Sequence, residues 1–294
     1  MSDQVIFNQV CIIGVGLIGG SLARALRQSK SVKTIIGCGR NESKLQRAVE
    51  LGVIDQYNCD PATAVENADA VVLAVPLGVM PDILQKIASH LSENCLLTDV
   101  GSAKASVVSA VKSVFGSLPK NFVPAHPIAG TEKSGVEASF AELFQHRRVI
   151  ITPTKSSDND YIELTRKMWA ACGAEVVNMD VEHHDDVLAA TSHLPHMLAF
   201  SLVDTLARRD DRQEIFDYAA GGFRDFTRIA SSDPDMWHDI CLANQTALLK
   251  SLEQYGDDLK RLTEAVRQSD SGYLKQTFRR AKQARDAYSD KKQS

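Results

Sequence analysis

The sequence has no CxxC pair, no apolar run long enough to cross a bilayer, and no basic start followed by an apolar core of the secretory kind. It has no surplus of positive charge: 33 Lys and Arg stand against 37 Asp and Glu, a formal net charge of −4. No large positive field therefore exists to hold nucleic acid or an acidic membrane. One basic stretch, Arg279, Arg280, Lys282 and Arg285, is interrupted by Ala and Gln and reads as a solvated helix face. Of the six cysteines, Cys11, Cys38 and Cys95 lie in apolar runs and read as buried free thiols, which suits a reducing cytoplasm. No internal repeat or low-complexity tract is present. What is left is an ordinary globular composition, 44% hydrophobic and 24% charged, in 294 residues, enough for two domains.

Short runs rich in Val, Ile and Leu at residues 10–13, 34–38, 70–75, 95–98 and 122–124 read as buried parallel strands. Helical patterns lie between them at 17–28, 41–51 and 103–115, the second with Asn41 as its N-cap. Later strands are expected at 149–152 and 175–177, flanking a helix at 161–171. This alternation predicts an α/β fold with a doubly wound parallel sheet. After about residue 180 the strand signals stop. Residues 184–208, 240–255 and 257–268 have helical periodicity, and Asp233-Pro234 marks a turn and helix start. The expected organisation is residues 1–180 as one domain and 181–294 as an all-helical second domain.

The first strand runs into Gly14-Val15-Gly16-Leu17-Ile18-Gly19. The first glycine permits a tight turn, the second lets a pyrophosphate approach the backbone, and the third lets the helix pack close to the strand. The helix N-terminus then offers N–H groups and partial positive charge to phosphates. A glycine loop after an apolar strand and before a helix marks a Rossmann-type dinucleotide site. Val75 and Pro76, at the end of the strand at 70–75, join the candidate cofactor-binding residues. The second strand ends Gly37-Cys38-Gly39-Arg40-Asn41. Gly39 stands where an NAD-selective site carries an acid for the ribose 2′-OH. Arg40, with Asn41 helping, suits a 2′-phosphate; alternatively Arg40 is exposed or stacks on adenine in either cofactor. The cofactor expected is NADP or NAD, with NADP favoured.

Two further segments fall at carboxyl ends of strands, where open α/β sheets bind ligands: Thr98-Asp99-Val100-Gly101-Ser102-Ala103-Lys104 and Pro124-Ala125-His126-Pro127-Ile128-Ala129-Gly130-Thr131-Glu132. Oxidising a hydroxyl requires removal of its proton, and histidine is the natural acceptor near neutral pH. His126, in a turn held by Pro124 and Pro127, is the candidate. Ser102 hydrogen-bonds either His126 or the substrate hydroxyl, or else caps the next helix, and Lys104 reads as first-turn surface charge.

These segments resemble the prephenate/arogenate (cyclohexadienyl) dehydrogenase family. The stretches that carry the resemblance are GVGLIGGSLA, DVGSAK, HPIAGTEKSG, SHLPH and GGFRDFTRIASSDPDMW, in order from Gly14 to Trp237. The resemblance implies a Rossmann domain joined to a C-terminal all-helical dimerisation domain, and hence a homodimer. It implies His126 as the catalytic residue with Ser102 as its hydrogen-bonding neighbour. It places His193 and His196 near substrate and nicotinamide, although an i, i+3 His pair could also chelate a metal; no third ligand is evident and no metal is expected. His183, His184, Asp185 and Asp186 read as an exposed helix start. The resemblance makes Arg228 the anchor for a substrate carboxylate, which an Arg binds bidentately. Gly221, Thr131 and Glu132 complete the substrate set, Glu132 as a partner for Arg228; Arg224 reads as surface charge and Trp237 as core.

The activity implied is oxidation of prephenate or arogenate with loss of CO2, in tyrosine biosynthesis. A β-hydroxyacid dehydrogenase relative and a non-catalytic NADP-sensing regulator are the alternatives. The former uses a lysine from its helical half, where SHLPH stands here; the latter could dispense with His126, Ser102 and Arg228. The chain is expected to leave no room for a regulatory domain, so tyrosine feedback would act at the active site.

Overall fold

The computed structural model describes residues 5–131 and 133–293, with side chains through Tyr288. Its first half alternates strands and helices: β1 (Phe7–Ile13), α1 (Leu17–Gln28), β2 (Val32–Cys38), α2 (Glu42–Glu50), β3 (Gln56–Asn58), α3 (Pro61–Ala64), β4 (Ala70–Leu73), α4 (Met80–Ile87) and β5 (Leu96–Asp99). The five strands are all parallel, in the order β3-β2-β1-β4-β5, with Ile12 opposite Gly37 on one side and Val72 on the other. Alternation across each strand divides the core between two faces. Val10, Ile12 and Val72 pack with Leu22 and Leu26 of α1, whereas Cys11, Ile13, Val71 and Leu73 pack with Leu84 and Ile87 of α4. Burial on both faces is why these strands read as continuous apolar runs.

The chain continues through α5 (Ala105–Phe115), β6 (Ala125–Pro127), β7 (Arg148–Ile151), α6 (Asn159–Ala171) and β8 (Glu175–Asn178). The last three strands form a separate sheet in which β6 runs antiparallel to β7 and β8 parallel to it. The strand expected at 122–124 is reduced to one parallel bridge from Phe122 to Leu97. Pro124 has no N–H for the ladder, and pairing resumes at Ala125 in the second sheet. β3 was not expected: its three residues, Gln56-Tyr57-Asn58, contain no apolar run.

The remaining elements are helical: α7 (Val181–Leu188), α8 (Leu194–Ala207), α9 (Arg212–Asp217), α10 (Gly221–Thr227), α11 (Pro234–Ala243), α12 (Gln245–Arg267) and α13 (Ser271–Gln293). The single helix expected at 184–208 is interrupted by a π-helical turn, Ala189–His193, beside Pro195 at the start of α8. Pro cannot donate the backbone bond that α-helix continuation requires, and π-turns accommodate such interruptions. Conversely, α12 runs unbroken through Gly256, which costs only about 1 kcal/mol relative to Ala in a helix. Asp233 caps α11, its side chain accepting from the Met236 N–H at 2.9 Å. By contacts the chain divides into two compact units, Met1–Gln245 and Thr246–Ser294. The second carries exposed Leu249, Leu259, Val266 and Phe278 on its helices. No helix among the described residues is long and apolar enough to cross a membrane.

Candidate active site

The glycine loop links β1 to α1. Gly14 has φ +103°, and a Cβ there would lie 2.2 Å from the Ala74 carbonyl oxygen, so only glycine fits. A Cβ at Gly19 would meet the Gly14 oxygen at 2.1 Å, which is the close helix–strand approach. At Gly16 a Cβ would meet nothing within 4 Å. Gly16 is the N-cap of α1 and supplies no side-chain bond, and the first helical bond runs from Gly20 N to Gly16 O. The amides of Leu17, Ile18 and Gly19 are therefore left for an outside acceptor. An open, glycine-lined helix N-terminus with unclaimed N–H groups fits a dinucleotide pyrophosphate. Val75 lies against Gly14, its Cγ1 3.0 Å from the position of the added Cβ, and Pro76 follows it.

Beyond β2, a Cβ at Gly39 would make only ordinary contact with Leu45, at 3.6 Å, so packing does not force the absence of an acid there. Arg40 is exposed. Asn41 caps α2, accepting from the Lys44 N–H at 3.0 Å and from the Ser43 hydroxyl at 2.7 Å. Its oxygen is thus committed to the helix, and what it can offer a ligand is N–H.

His126 lies within β6, opposite Ile150, rather than in a turn. The strand is placed by a buried ion pair. Asp99, the last residue of β5, pairs with Lys104, and both side chains are wholly buried. Asp99 accepts from the Ala125 N–H at 3.2 Å and from the Gly101 N–H at 2.8 Å, while Lys104 Nζ donates to the Ala125 carbonyl at 2.7 Å. Both backbone groups of the residue before His126 are thereby clamped to the carboxyl end of β5. Lys104 is a fully buried organiser, not surface charge. Burial pushes its pKa down against the pull of Asp99 and Asp185.

The neighbour of His126 is His184. Nδ1 of His126 is 2.9 Å from Nε2 of His184, and Nδ1 of His184 is 2.8 Å from Oδ1 of Asp185. Asp185 also accepts from the N–H groups of Lys104 at 2.8 Å and Ala105 at 2.9 Å, capping α5 from 81 residues away. Two of the three roles expected for Ser102, the bond to His126 and the helix cap, are corrected. Ser102 is half-buried, its hydroxyl makes no hydrogen bond to His126, and the helix it was to cap begins at Ala105 under Asp185. His184 and Asp185 are likewise not an exposed helix start: they are buried, while His183 and Asp186 face outward. Burial opposes ionisation of Asp185, but the bonds from His184, Lys104 and Ala105 outweigh it and hold its pKa below the usual value. Burial, then the charges of His184, Lys104 and His193, push His126 well below 6.5. Among the described residues no hydrogen bond to its Nε2 is seen, and the residue is 8% exposed.

His193 and His196 are brought to the same region. Asn244 Nδ2 donates to the Asp185 carbonyl at 2.8 Å and meets His193 Nδ1 at 3.1 Å. His193 is buried, its Nε2 has no well-formed hydrogen bond among the described residues, and burial lowers its pKa to about 4. His196 donates from Nδ1 to the Ser192 carbonyl at 2.8 Å and stacks on Trp237, with ring centroids 3.7 Å apart. Trp237 is on α11, which is tied to the loop after β4 by the Gly78 N–H donating to Asp239 at 3.0 Å. Among the described residues no group of His, Cys, Asp and Glu is arranged to hold a metal.

Arg228 is exposed and opens the turn Arg228–Ser231, which packs against α8, the helix of His196. Gly221 begins α10, which packs against the same helix. Thr131 is exposed and its hydroxyl accepts from the Lys133 N–H at 3.2 Å. Glu132 lies outside the described residues. The sequence reading missed His184, Asp185, Asp99, Lys104, Asn244 and Asp239 as site components. The spacing of Asp99 and Lys104 around a glycine was the one signal available.

A parallel sheet with a glycine-lined helix N-terminus at its carboxyl edge, and a neutral histidine beside it, defines a Rossmann-type NAD(P)-dependent oxidoreductase. Family models match its two consecutive parts: the prephenate dehydrogenase nucleotide-binding domain over residues 22–178 and the prephenate dehydrogenase dimerization domain over 180–280. The chain belongs to the prephenate dehydrogenase family. It is 39% identical to the cyclohexadienyl dehydrogenase of Zymomonas mobilis, covering 96% of each chain, and 36% identical to the prephenate dehydrogenase of Bacillus subtilis, covering 95% of this chain and 76% of that one. Among solved structures, the prephenate dehydrogenase of Aquifex aeolicus, in complex with hydroxyphenyl propionate and NAD+, superposes with a TM-score of 0.88 at 39% identity, covering 96% of this chain and 98% of that one. The Synechocystis arogenate dehydrogenase gives 0.79 at 28% identity, covering 95% and 99%.

Proposed function

We propose that this chain carries out the NAD(P)-dependent oxidative decarboxylation of prephenate, arogenate or both, in tyrosine biosynthesis. The observation that supports it most directly is His126: buried, its pKa pushed well below 6.5, its Nδ1 engaged by His184, and placed beside the carboxyl end of β5 by the Asp99–Lys104 pair. When bound, the oxidised nicotinamide supplies the acceptor for the hydride from C4 of the substrate. His126 Nε2 takes the proton of the C4 hydroxyl. The C1 carboxylate leaves as CO2, and the electron pair of the broken bond makes the ring aromatic. The remaining tasks for the protein are to orient the substrate and neutralise its carboxylates, the role assigned to Arg228, with His193, His196, Thr131, Glu132 and Gly221 around the substrate. Ser102, half-buried in the loop after β5, remains a candidate for the substrate hydroxyl.

NADP is the cofactor proposed. Gly39 leaves room for an acid that is not there, and Arg40 stands beside it, exposed. Residues 1–180 are assigned as the dinucleotide-binding domain and 181–294 as the helical domain, since β8 ends at Asn178 and the two family matches meet between 178 and 180. A homodimer through the helical part is supported by the dimerization-domain match and by exposed apolar residues such as Leu249 and Leu259. The free cysteines suit a cytoplasmic setting. Tyrosine is expected to compete at the active site, which competitive kinetics against prephenate would test.

The test of the whole reading is to mix the protein with prephenate or arogenate and NAD+ or NADP+ and follow reduced cofactor. Turnover with either acid, and a higher kcat/KM with NADP+, is the expected result. No reduction with any of the four pairs would remove the reading.

A further inference from the structure

We propose that His184 and Asp185 are positioning residues that fix the tautomer of His126, so that its Nε2 always presents a lone pair to the substrate hydroxyl. The proposal rests on His126 being the base. An ionised carboxylate only accepts, and Asp185 already accepts from the N–H groups of Lys104 and Ala105. The His184 Nδ1, 2.8 Å from Oδ1, must therefore carry hydrogen. With a single hydrogen on His184, placed at Nδ1, its Nε2 keeps the lone pair. The His126 Nδ1, 2.9 Å from that lone pair, must in turn carry hydrogen. The remaining nitrogen of His126, Nε2, is left as the acceptor. Reversing the chain would set a donor against the carboxylate's other donors.

The same arrangement acts when the proton arrives. The O–H bond of the substrate breaks and an N–H bond forms at Nε2, leaving His126 as an imidazolium. Its Nδ1–H still points at His184, and His184 Nδ1–H still points at Asp185. No second proton moves; the carboxylate at the end of the chain faces the new charge through one ring, the logic by which an Asp orients the histidine of hydrolytic triads. The cation that faces His126 and His184 is Lys104 at the start of α5, and His193 in the π-turn, with a pKa of about 4, is uncharged near neutral pH. Asp185 is the acid built into this contact, and its place is fixed because it also caps α5. The base on β6 is thus oriented from α7, and α7 is held by the helix that follows β5.

The direct test reads the hydrogens in the unaltered protein. With 15N-labelled histidine at neutral pH, both His126 and His184 are expected to show the Nδ1–H tautomer, His126→Asn and His184→Asn serving only to assign the signals. A protonated Nε2 on neutral His126 would overturn the proposal. The kinetic test is Asp185→Asn, whose amide can point an N–H at His184 and reverse the chain. The expected result is a fall in kcat of roughly 10²–10⁴-fold, equal across the pH range, with KM for prephenate and the dissociation constant for NADP+ unchanged. A merely structural role for Asp185 would lower stability and affinity and leave kcat of the folded fraction intact, and that outcome also overturns the proposal. His126→Asn, measured beside it, separates the two readings. If His126→Asn is inactive and Asp185→Asn is not, the orientation idea falls alone; if both turn over normally, the assignment of the base falls too. Should Asp185→Asn fail to fold, the labelled wild-type protein still decides.

Discussion

His126 is kept neutral by burial before any neighbouring charge is counted, and this has a kinetic consequence. A base whose pKa is pushed down loses activity only when the pH falls below that lowered value. The acid limb of kcat/KM is therefore expected below pH 6.5, the ordinary value for histidine, and a pH–rate profile checks it. Lys104 offers a second check. Lys104→Met strands Asp99 as an unpaired buried carboxylate, and a loss of about 3–5 kcal/mol in denaturant unfolding is expected. Arg228→Ala is expected to raise KM for the acid substrate while leaving kcat little changed; an unchanged KM would place the anchor elsewhere. At this scale the sequence showed which residues had the right chemistry but not which faced inward. Histidine between prolines after a strand marked His126. Nothing in His183-His184-Asp185-Asp186 marks the middle pair as buried, because the partner that buries them, the start of α5, lies some 80 positions earlier.

Gly16 separates folding from binding in the β1–α1 loop. A methyl there meets no protein atom, so Gly16→Ala should leave the melting temperature unchanged and weaken the cofactor by tenfold or more, about 1.4 kcal/mol. Isothermal titration with NADP+ measures it; unchanged affinity would mean that the loop does not hold the pyrophosphate. The elements themselves were readable where one physical pattern dominated. Doubly buried strands gave apolar runs, and α1, α2 and α6 fell close to their expected bounds. The sequence pattern misled where backbone chemistry intervened. Pro124 moved a strand three residues onward into another sheet, and a π-turn beside Pro195 broke a helix whose side-chain period looked continuous. That turn carries His193, so a local irregularity invisible to periodicity sets part of the site.

Folding as a whole should respond to acid. His193 has a folded pKa of about 4 against an ordinary 6.5. The unfolded chain binds that proton first, so stability present above pH 6.5 is lost as the pH falls towards 4, by about 3 kcal/mol for this group alone. His126 and Asp185, both lowered, act in the same direction. Denaturant titrations between neutral and acid pH would show the decline. The division into a strand-bearing part and a helical part was legible because hydrophobic periodicity changes near residue 180; the ties that cross it, Asp185 to α5 and Asp239 to Gly78, were not, since each joins residues far apart in the chain. The central claim is that a neutral His126 takes the hydroxyl proton as hydride leaves. Its most direct test is kcat for His126→Asn at saturating prephenate and NADP+, with the affinity of each measured separately. The account predicts a fall of roughly 10²–10⁴-fold with both affinities retained; turnover near the wild-type rate would contradict it.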